Sequence, residues 1–195
     1  MRIPAKPFLS LALLVAFAVQ LRAQNERSLQ VSIRAGVITP GTFYLEGSRI
    51  DTRGKEVNIN QYGYDYSLNL SQNVGVALDY RLAPRFHLGA FADVSNMNAF
   101  DEHALFVDAG ATMKVDVGSM QSALRFRPLL AAGFASLGPI YMFQNTHYLT
   151  LKAGTELIHG AYLAELSAYA APSGGNAAVT TSFGPVAQIR FGRLF

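Results

Sequence analysis

The chain has no cysteine and no tryptophan, and only 15% of its 195 residues are charged, where about 25% is usual for a soluble domain. The missing cysteine excludes a disulfide framework, a zinc–thiolate centre, thiol catalysis and a lipid-bearing N-terminal cysteine. A scarcity of charge beside 50% hydrophobic residues excludes intrinsic disorder, because enough apolar surface is present to offset chain entropy. Positive charge is also in shorter supply than the net +3 implies. Arg2, Lys6 and Arg22 lie in the first 23 residues, which hold no acid, and the remaining basic and acidic residues balance. The pI near 9.3 therefore reflects the N-terminal segment and gives no argument for nucleic acid.

Long apolar runs are missing too. The one sustained run, Phe8 to Val19, is about twelve residues, short of the roughly 20 that cross a bilayer as a helix. With Arg2 and Lys6 ahead of it and Leu21-Arg22-Ala23 behind it, residues 1–23 read as a secretory signal peptide cleaved before Gln24. The mature chain is then residues 24–195, one domain in length.

What fills that length is alternation with a period of two. Leu29, Val31, Ile33, Ala35 and Val37 alternate with polar or small residues. So do Leu68 to Leu82, Phe86 to Val94, Leu105 to Val117, Leu124 to Phe134, Leu149 to Leu157, Tyr162 to Ala168 and Val179 to Phe195. The spacing predicts eight strands. Charge tests the registers: Asp79/Arg81, His87/Asp93, Asp108/Lys114/Asp116, Arg125/Arg127 and Lys152/Glu156 all fall on the non-apolar face of their strands, and Arg193 is the exception. Connections alternate as well. Ala83-Pro84-Arg85, Ile158-His159-Gly160 and a segment after Gly118 are short; Thr39 to Asp65, Asn96 to Ala104, Ser136 to Thr146 and Ala171 to Ala178 are longer. An even number of strands with short turns at one end and long loops at the other predicts an all-β fold, a closed eight-stranded antiparallel up-and-down transmembrane β-barrel. A water-soluble barrel would turn its apolar face inward. Here the polar face is rich in Gly, Ser, Thr and Asn, which suits a narrow interior, and aromatics gather at strand ends: Tyr80, Phe86, Phe126, Tyr162, Phe191 and Phe195 at the short-turn end, Tyr66 and Phe134 at the other. That placement fits interfacial girdles. Pro128 and Pro185 fall inside strands; Pro128 stands near a strand start, and Pro185 predicts a bulge or bend.

The final strand carries Ala187, Ile189, Phe191 and a terminal Phe195 in alternation. This pattern resembles the signal on the last strand of outer-membrane barrels; Arg193 departs from it. Over its mature length the chain resembles the small eight-stranded OmpA/OmpX-like barrels, the outer membrane protein beta-barrel domain family. The resemblance implies residence in a Gram-negative-type outer membrane, periplasmic termini, and as partners membrane lipid, lipopolysaccharide and the barrel assembly machinery, which would read Ile189, Phe191 and Phe195.

The candidate constellation is the inward charge. Arg34, Arg81, Lys114, Arg125, Arg127, Lys152 and Arg190 face Asp79, Asp93, Asp108, Asp116, Glu156 and Glu165. Near balance in a narrow lumen predicts a network of ion pairs that plugs it; the alternative is a small ion-conducting pore. A lipid-modifying enzyme would need Ser, His and an acid at one level. Ser136 and His147 stand at the long-loop ends of adjacent strands, projecting outward, without an evident acid or a G-x-S-x-G motif. No catalytic residue, metal or cofactor is assigned: His87, His103 and His159 are scattered, and Asp101-Glu102-His103 reads as solvated loop. The first long loop, with Phe43, Tyr44, Tyr62, Tyr64 and Tyr66 among Arg49, Asp51, Arg53, Lys55 and Glu56, is the candidate surface for an extracellular ligand.

Overall fold

The computed structural model describes residues 29–50, 56–58, 66–68, 70–99, 102–118, 123–138, 146–175 and 179–195. The leader and its cleavage site lie outside them. So do Asp51, Arg53, Lys55, Tyr62 and Tyr64 of the first loop and Asp101 of the second, together with the side chains of Phe43, Tyr44, Arg49, Glu56, Tyr66, Glu102 and His103.

Eleven strands are described: β1 (Leu29–Ile38), β2 (Gly41–Ile50), β3 (Glu56–Asn58), β4 (Tyr66–Leu68), β5 (Ser71–Ala83), β6 (Phe86–Ala99), β7 (Glu102–Val115), β8 (Leu124–Leu137), β9 (Thr146–His159), β10 (Tyr162–Gly175) and β11 (Val179–Leu194). Ten of them make eight staves, and β3 pairs only with the end of β2. On one flank Ile38 pairs with Gln188 and Phe43 with Phe183; on the other Ile38 pairs with Ser71 and Gly41 with Leu68. The registers on both flanks run unbroken across residues 39–40 and 69–70, so β1 with β2, and β4 with β5, are single staves with a lapse. Thr39 bridges the lapse, its N–H donating to the Ala187 carbonyl at 2.8 Å while its hydroxyl accepts from the Ala187 N–H at 3.0 Å. Every sequential pair from β5 to β11 is antiparallel, and β1 pairs with both β5 and β11. The sheet therefore closes on itself and leaves no edge in the wall.

The alternation read from the sequence places the side chains. On the outer wall Leu70, Leu88, Leu105, Leu130, Phe134, Leu151, Tyr162, Leu166 and Phe191 are exposed, Phe134 at 76%. All six carboxylates with a described side chain are buried. This polarity is the reverse of a water-soluble barrel and is that of a barrel wall surrounded by hydrocarbon. No helix among the described residues is long and apolar enough to cross a membrane.

Two expectations change. Asn96–Ala104 and Ala171–Ala178 read as long loops, but β6 reaches Ala99, β7 begins at Glu102, and β10 runs to Gly175. The first loop likewise begins with β2, which continues the wall and pairs with β11 and β4. Backbone N–H and C=O groups go on pairing beyond the point where the side-chain pattern stops reporting a buried face. Fourteen-residue strands such as β8 thus exceed the roughly 9–11 residues of a tilted crossing, and the hairpins stand clear of the apolar band. Pro185 does mark a bulge. Tyr169 pairs with Val186 and Ala171 with Phe183, so β11 carries one extra residue around Gly184–Pro185. At Pro128 the β7–β8 ladder stops at Lys114↔Leu129 and resumes at the isolated Val117↔Phe126 bridge.

Inside, three zones stack. Ile158, Leu163 and Leu194 form an apolar floor at the short-turn end. Above it lies a charged belt. Phe106, Tyr148, Tyr169, Met97, Leu137 and Ile38 are buried toward the long-loop end, with the Phe106 ring 5.9 Å from Tyr148 and 6.3 Å from Tyr169. Inward glycines make room for the belt: a Cβ on Gly75 would strike the Asp93 carboxylate, and one on Gly89 would strike Asp79 and the Leu78 carbonyl. The Gly75→Val variant is accordingly expected to lose about 1–3 kcal/mol from overpacking, read as a lower urea midpoint of the refolded protein.

Candidate functional site

The belt draws on all eight staves. Arg34 on β1 touches Glu165 of β10, lies 2.9 Å from Glu156 of β9, and stands 3.9 Å from Asp79 of β5. Lys114 of β7 bridges Asp79 at 2.7 Å and Glu156 at 2.8 Å. Arg127 of β8 pairs with Asp116 at 2.7 Å, approaches Glu156 to 3.6 Å and donates to the Gln30 side chain at 2.9 Å. Arg190 of β11 reaches Asp93 of β6 and Glu165, each at 2.7 Å. Lys152 of β9 lies 2.9 Å from Asp93 and 4.7 Å above the Phe91 ring centre. These contacts form one chain, from Asp116 through Arg127, Glu156, Arg34, Glu165, Arg190 and Asp93 to Lys152.

Within it the carboxylates are held in different ways. Glu165 receives aligned hydrogen bonds from Arg34 and Arg190 and one from Ser167. Neither Glu156 oxygen has an aligned donor, so its tie to Arg34, Lys114 and Arg127 is coulombic. Asp108 has no cation within ion-pair distance among the described residues; it accepts instead from the Tyr169 hydroxyl at 2.8 Å and Thr150 at 2.9 Å. A buried carboxylate without donors would be costly, and two neutral donors offset part of that cost.

Of the thirteen inward charges expected from the sequence, eleven are buried here: Arg34, Asp79, Asp93, Asp108, Lys114, Asp116, Arg127, Lys152, Glu156, Glu165 and Arg190. The other two depart. Arg81 is exposed at the end of β5, and Arg125 is half-buried near the start of β8; both share the inward parity but sit at the rim, where the long side chain finds water. His87 is the addition. It is buried, and its Nε2 lies 2.9 Å from Asp116 while Nδ1 has no partner. The signal was present in the sequence, because His87 shares the polar face with Asp93. Gln30, Thr150 and Tyr169 were not separable from ordinary polar-face residues until the wall closed.

Ser136 and His147 face one another across β8 and β9. The surface groove they share, about 400 Å³, is lined otherwise by Val107, Ala109, Phe134 and Ala135, so no carboxylate stands among its lining residues. No cluster of three metal-binding side chains occurs among the described residues. At the chain end Phe191 is exposed on the outer wall, as is Ile189, and the Arg193 guanidinium lies 5.3 Å from the Phe195 ring centre.

No family model matches this sequence, and no curated protein matches it. Solved structures do. Ail, the attachment invasion locus protein of Yersinia pestis, is similar at 12% identity and a TM-score of 0.44, over 86% of this chain and 99% of that one. Neisserial surface protein A matches at 12% identity and 0.43, over 83% and 95%. A de novo designed transmembrane β-barrel matches at 13% and 0.37, over 85% and 94%. At such identities and scores a likeness says nothing about function. The closed eight-stave wall is established by the pairing itself.

Opening the belt is expected to be costly in proportion to what is left unpaired. Arg34→Met leaves Glu165 to Arg190, and Glu156 to Lys114 and Arg127, so the buried belt is one cation short of balance and the barrel should be destabilised by about 3–5 kcal/mol. Arg125→Gln, at the rim, should stay within about 0.5 kcal/mol. Urea unfolding of the two refolded variants against the parent checks both.

Proposed function

We propose that this chain is an integral outer-membrane barrel with a structural or surface-interaction role, its interior plugged by the ion-pair belt and its specificity carried by the long loops. One observation supports this reading above others: five buried cations and five buried carboxylates pair with one another across all eight staves, while large apolar side chains cover the outside. A wall of that polarity is stable in hydrocarbon and would aggregate in water. The buried residues at both ends, Ile158 and Leu163 below and Phe106 and Tyr148 above, leave the belt without the wet lumen of a wide porin. Catalysis has little support, since the Ser136–His147 pair lacks an acid in its groove. Fold alone assigns none.

The first loop offers the recognition chemistry, aromatics among mixed charge: Tyr62, Tyr64 and Tyr66 beside Arg49, Arg53 and Lys55. Its base is a strand that pairs with β11 and β4, so a ligand held there would sit on a stiff ribbon. Lipopolysaccharide, the assembly machinery and an extracellular ligand remain the partners this reading implies.

Protein refolded in detergent is expected to migrate differently with and without boiling; an absent shift would overturn the barrel. In a planar bilayer it is expected to be silent. A steady ion-selective current, altered by Asp116→Asn, would make the chain a small pore and replace the plug. Deleting residues 47–60 should spare the gel shift and abolish surface binding.

A further inference from the structure

Charge at the two faces of the wall is sorted more completely than closure requires. Every Asp and Glu with a described side chain is buried. The described charged side chains that remain at the short-turn end are all basic: Arg81, Arg85 and Arg193 are exposed, Arg125 is half-buried, and His159 at the end of β9 is exposed. None of the four arginines has a carboxylate within ion-pair distance among the described residues, whereas the five buried cations all do. An exposed arginine with no carboxylate partner among the described residues presents its N–H donors outward.

The position of these arginines indicates which partner. Arg81 stands two residues before the end of β5, Arg85 in the turn between β5 and β6, and Arg193 is next to last on β11. β1 pairs with both β5 and β11, so the three occupy one arc of the rim. The apolar band ends along this same arc. Tyr80 and Leu82 flank Arg81 in sequence and are exposed on the outer wall. Tyr162, which pairs with Arg193 across β10 and β11, is 66% exposed, as is Phe191 one inward-outward repeat away. Arg193 lies over the Phe195 ring, 5.3 Å from its centre, which holds the guanidinium beside the wall. On the outward face of β11 the order Ile189, Phe191, Arg193 follows a membrane's own layers, acyl chain, interface and phosphate, while Arg81 stands at inward parity between the outward Tyr80 and Leu82. Guanidinium presents paired N–H donors that match a phosphate diester in geometry and charge.

We propose that the short-turn rim seats the barrel on anionic phospholipid, with Arg81, Arg85 and Arg193 binding headgroup phosphates. The proposal rests on the membrane-spanning reading and adds to it a lipid class, a face and three residues. Arg81 and Arg125, read as lumen charges from their parity, are rim charges by this account, and Arg81 is recruited to lipid. The belt above is neutralised internally and takes no part.

The test uses the full refolded chain in bilayers of phosphatidylcholine doped with spin-labelled phosphatidylglycerol or spin-labelled phosphatidylcholine, with the motionally restricted fraction of each read by electron spin resonance. The expected result is a preference for phosphatidylglycerol of severalfold at low salt, falling toward unity in the R81Q/R85Q/R193Q variant and in 1 M salt. A ratio of one in the parent, or an unchanged preference in the triple variant that still shows the heat-dependent gel shift, overturns the proposal and leaves the barrel standing. If restricted lipid of neither kind appears, the chain is not in the bilayer and the membrane-spanning reading falls with it. The three substitutions lie outside the ion-paired belt, so folding is expected to survive; the gel shift verifies it sample by sample.

Discussion

A charge cannot be left alone in a space sealed from water. Moving a carboxylate or a guanidinium out of water costs several kcal/mol even after relaxation, and the charged belt of this barrel lies between buried apolar side chains toward the short-turn end and aromatic ones toward the long loops. Each interior ion must therefore meet a counter-ion there or, as Asp108 does, neutral hydrogen-bond donors. With five cations and five carboxylates linked through Glu156, Arg34 and Glu165, the pairing runs from wall to wall and ties staves that are far apart in sequence. The cost of burial is what makes the wall close in one register: a slip of one residue would turn the belt out into hydrocarbon.

Small residues make this geometry possible. Eight staves enclose little more than the volume of their own inward side chains, so long arginines and lysines fit only where neighbours are small. Gly75 faces Asp93, Gly89 faces Asp79, and Gly133 lies against Asp108 and the Phe91 ring. Phe91 in turn receives the Lys152 ammonium. Alternation of glycine with charge is a packing requirement as much as a polarity pattern.

The wall and the rim answer to different solvents. Along the outer face the surrounding medium is apolar, and the side chains there are Leu, Val, Met and Phe. At the short-turn edge the medium is polar again, and arginines reappear with no carboxylate partner among the described residues. The longer end differs, because there the strands themselves continue as paired ribbons. On the proposed reading, function is carried at the boundaries of the barrel, with the ion-paired interior supplying rigidity.

Much of this was legible in the sequence. Period-two alternation needs only the geometry of an extended chain, so strand number, the inward face of each strand and the identity of Arg34, Asp93, Lys152 and Glu165 as interior charges followed directly. The bulge at Pro185 was legible for a similarly local reason, the missing N–H of proline. What the sequence could not reveal depends on height along the barrel and on closure. Parity placed Arg81 and Arg125 with the interior charges; only the three-dimensional wall decided that they stand at its rim, in reach of water. His87 carried the right parity but acquired Asp116 as its partner through the folded β7–β8 connection. The extension of β6, β7 and β10 into hairpins was not legible, because backbone pairing carries them past the point where a period-two pattern can be read. A local period fixes which way a side chain points, and the partner it finds there is set by the register of strands that are distant in the chain.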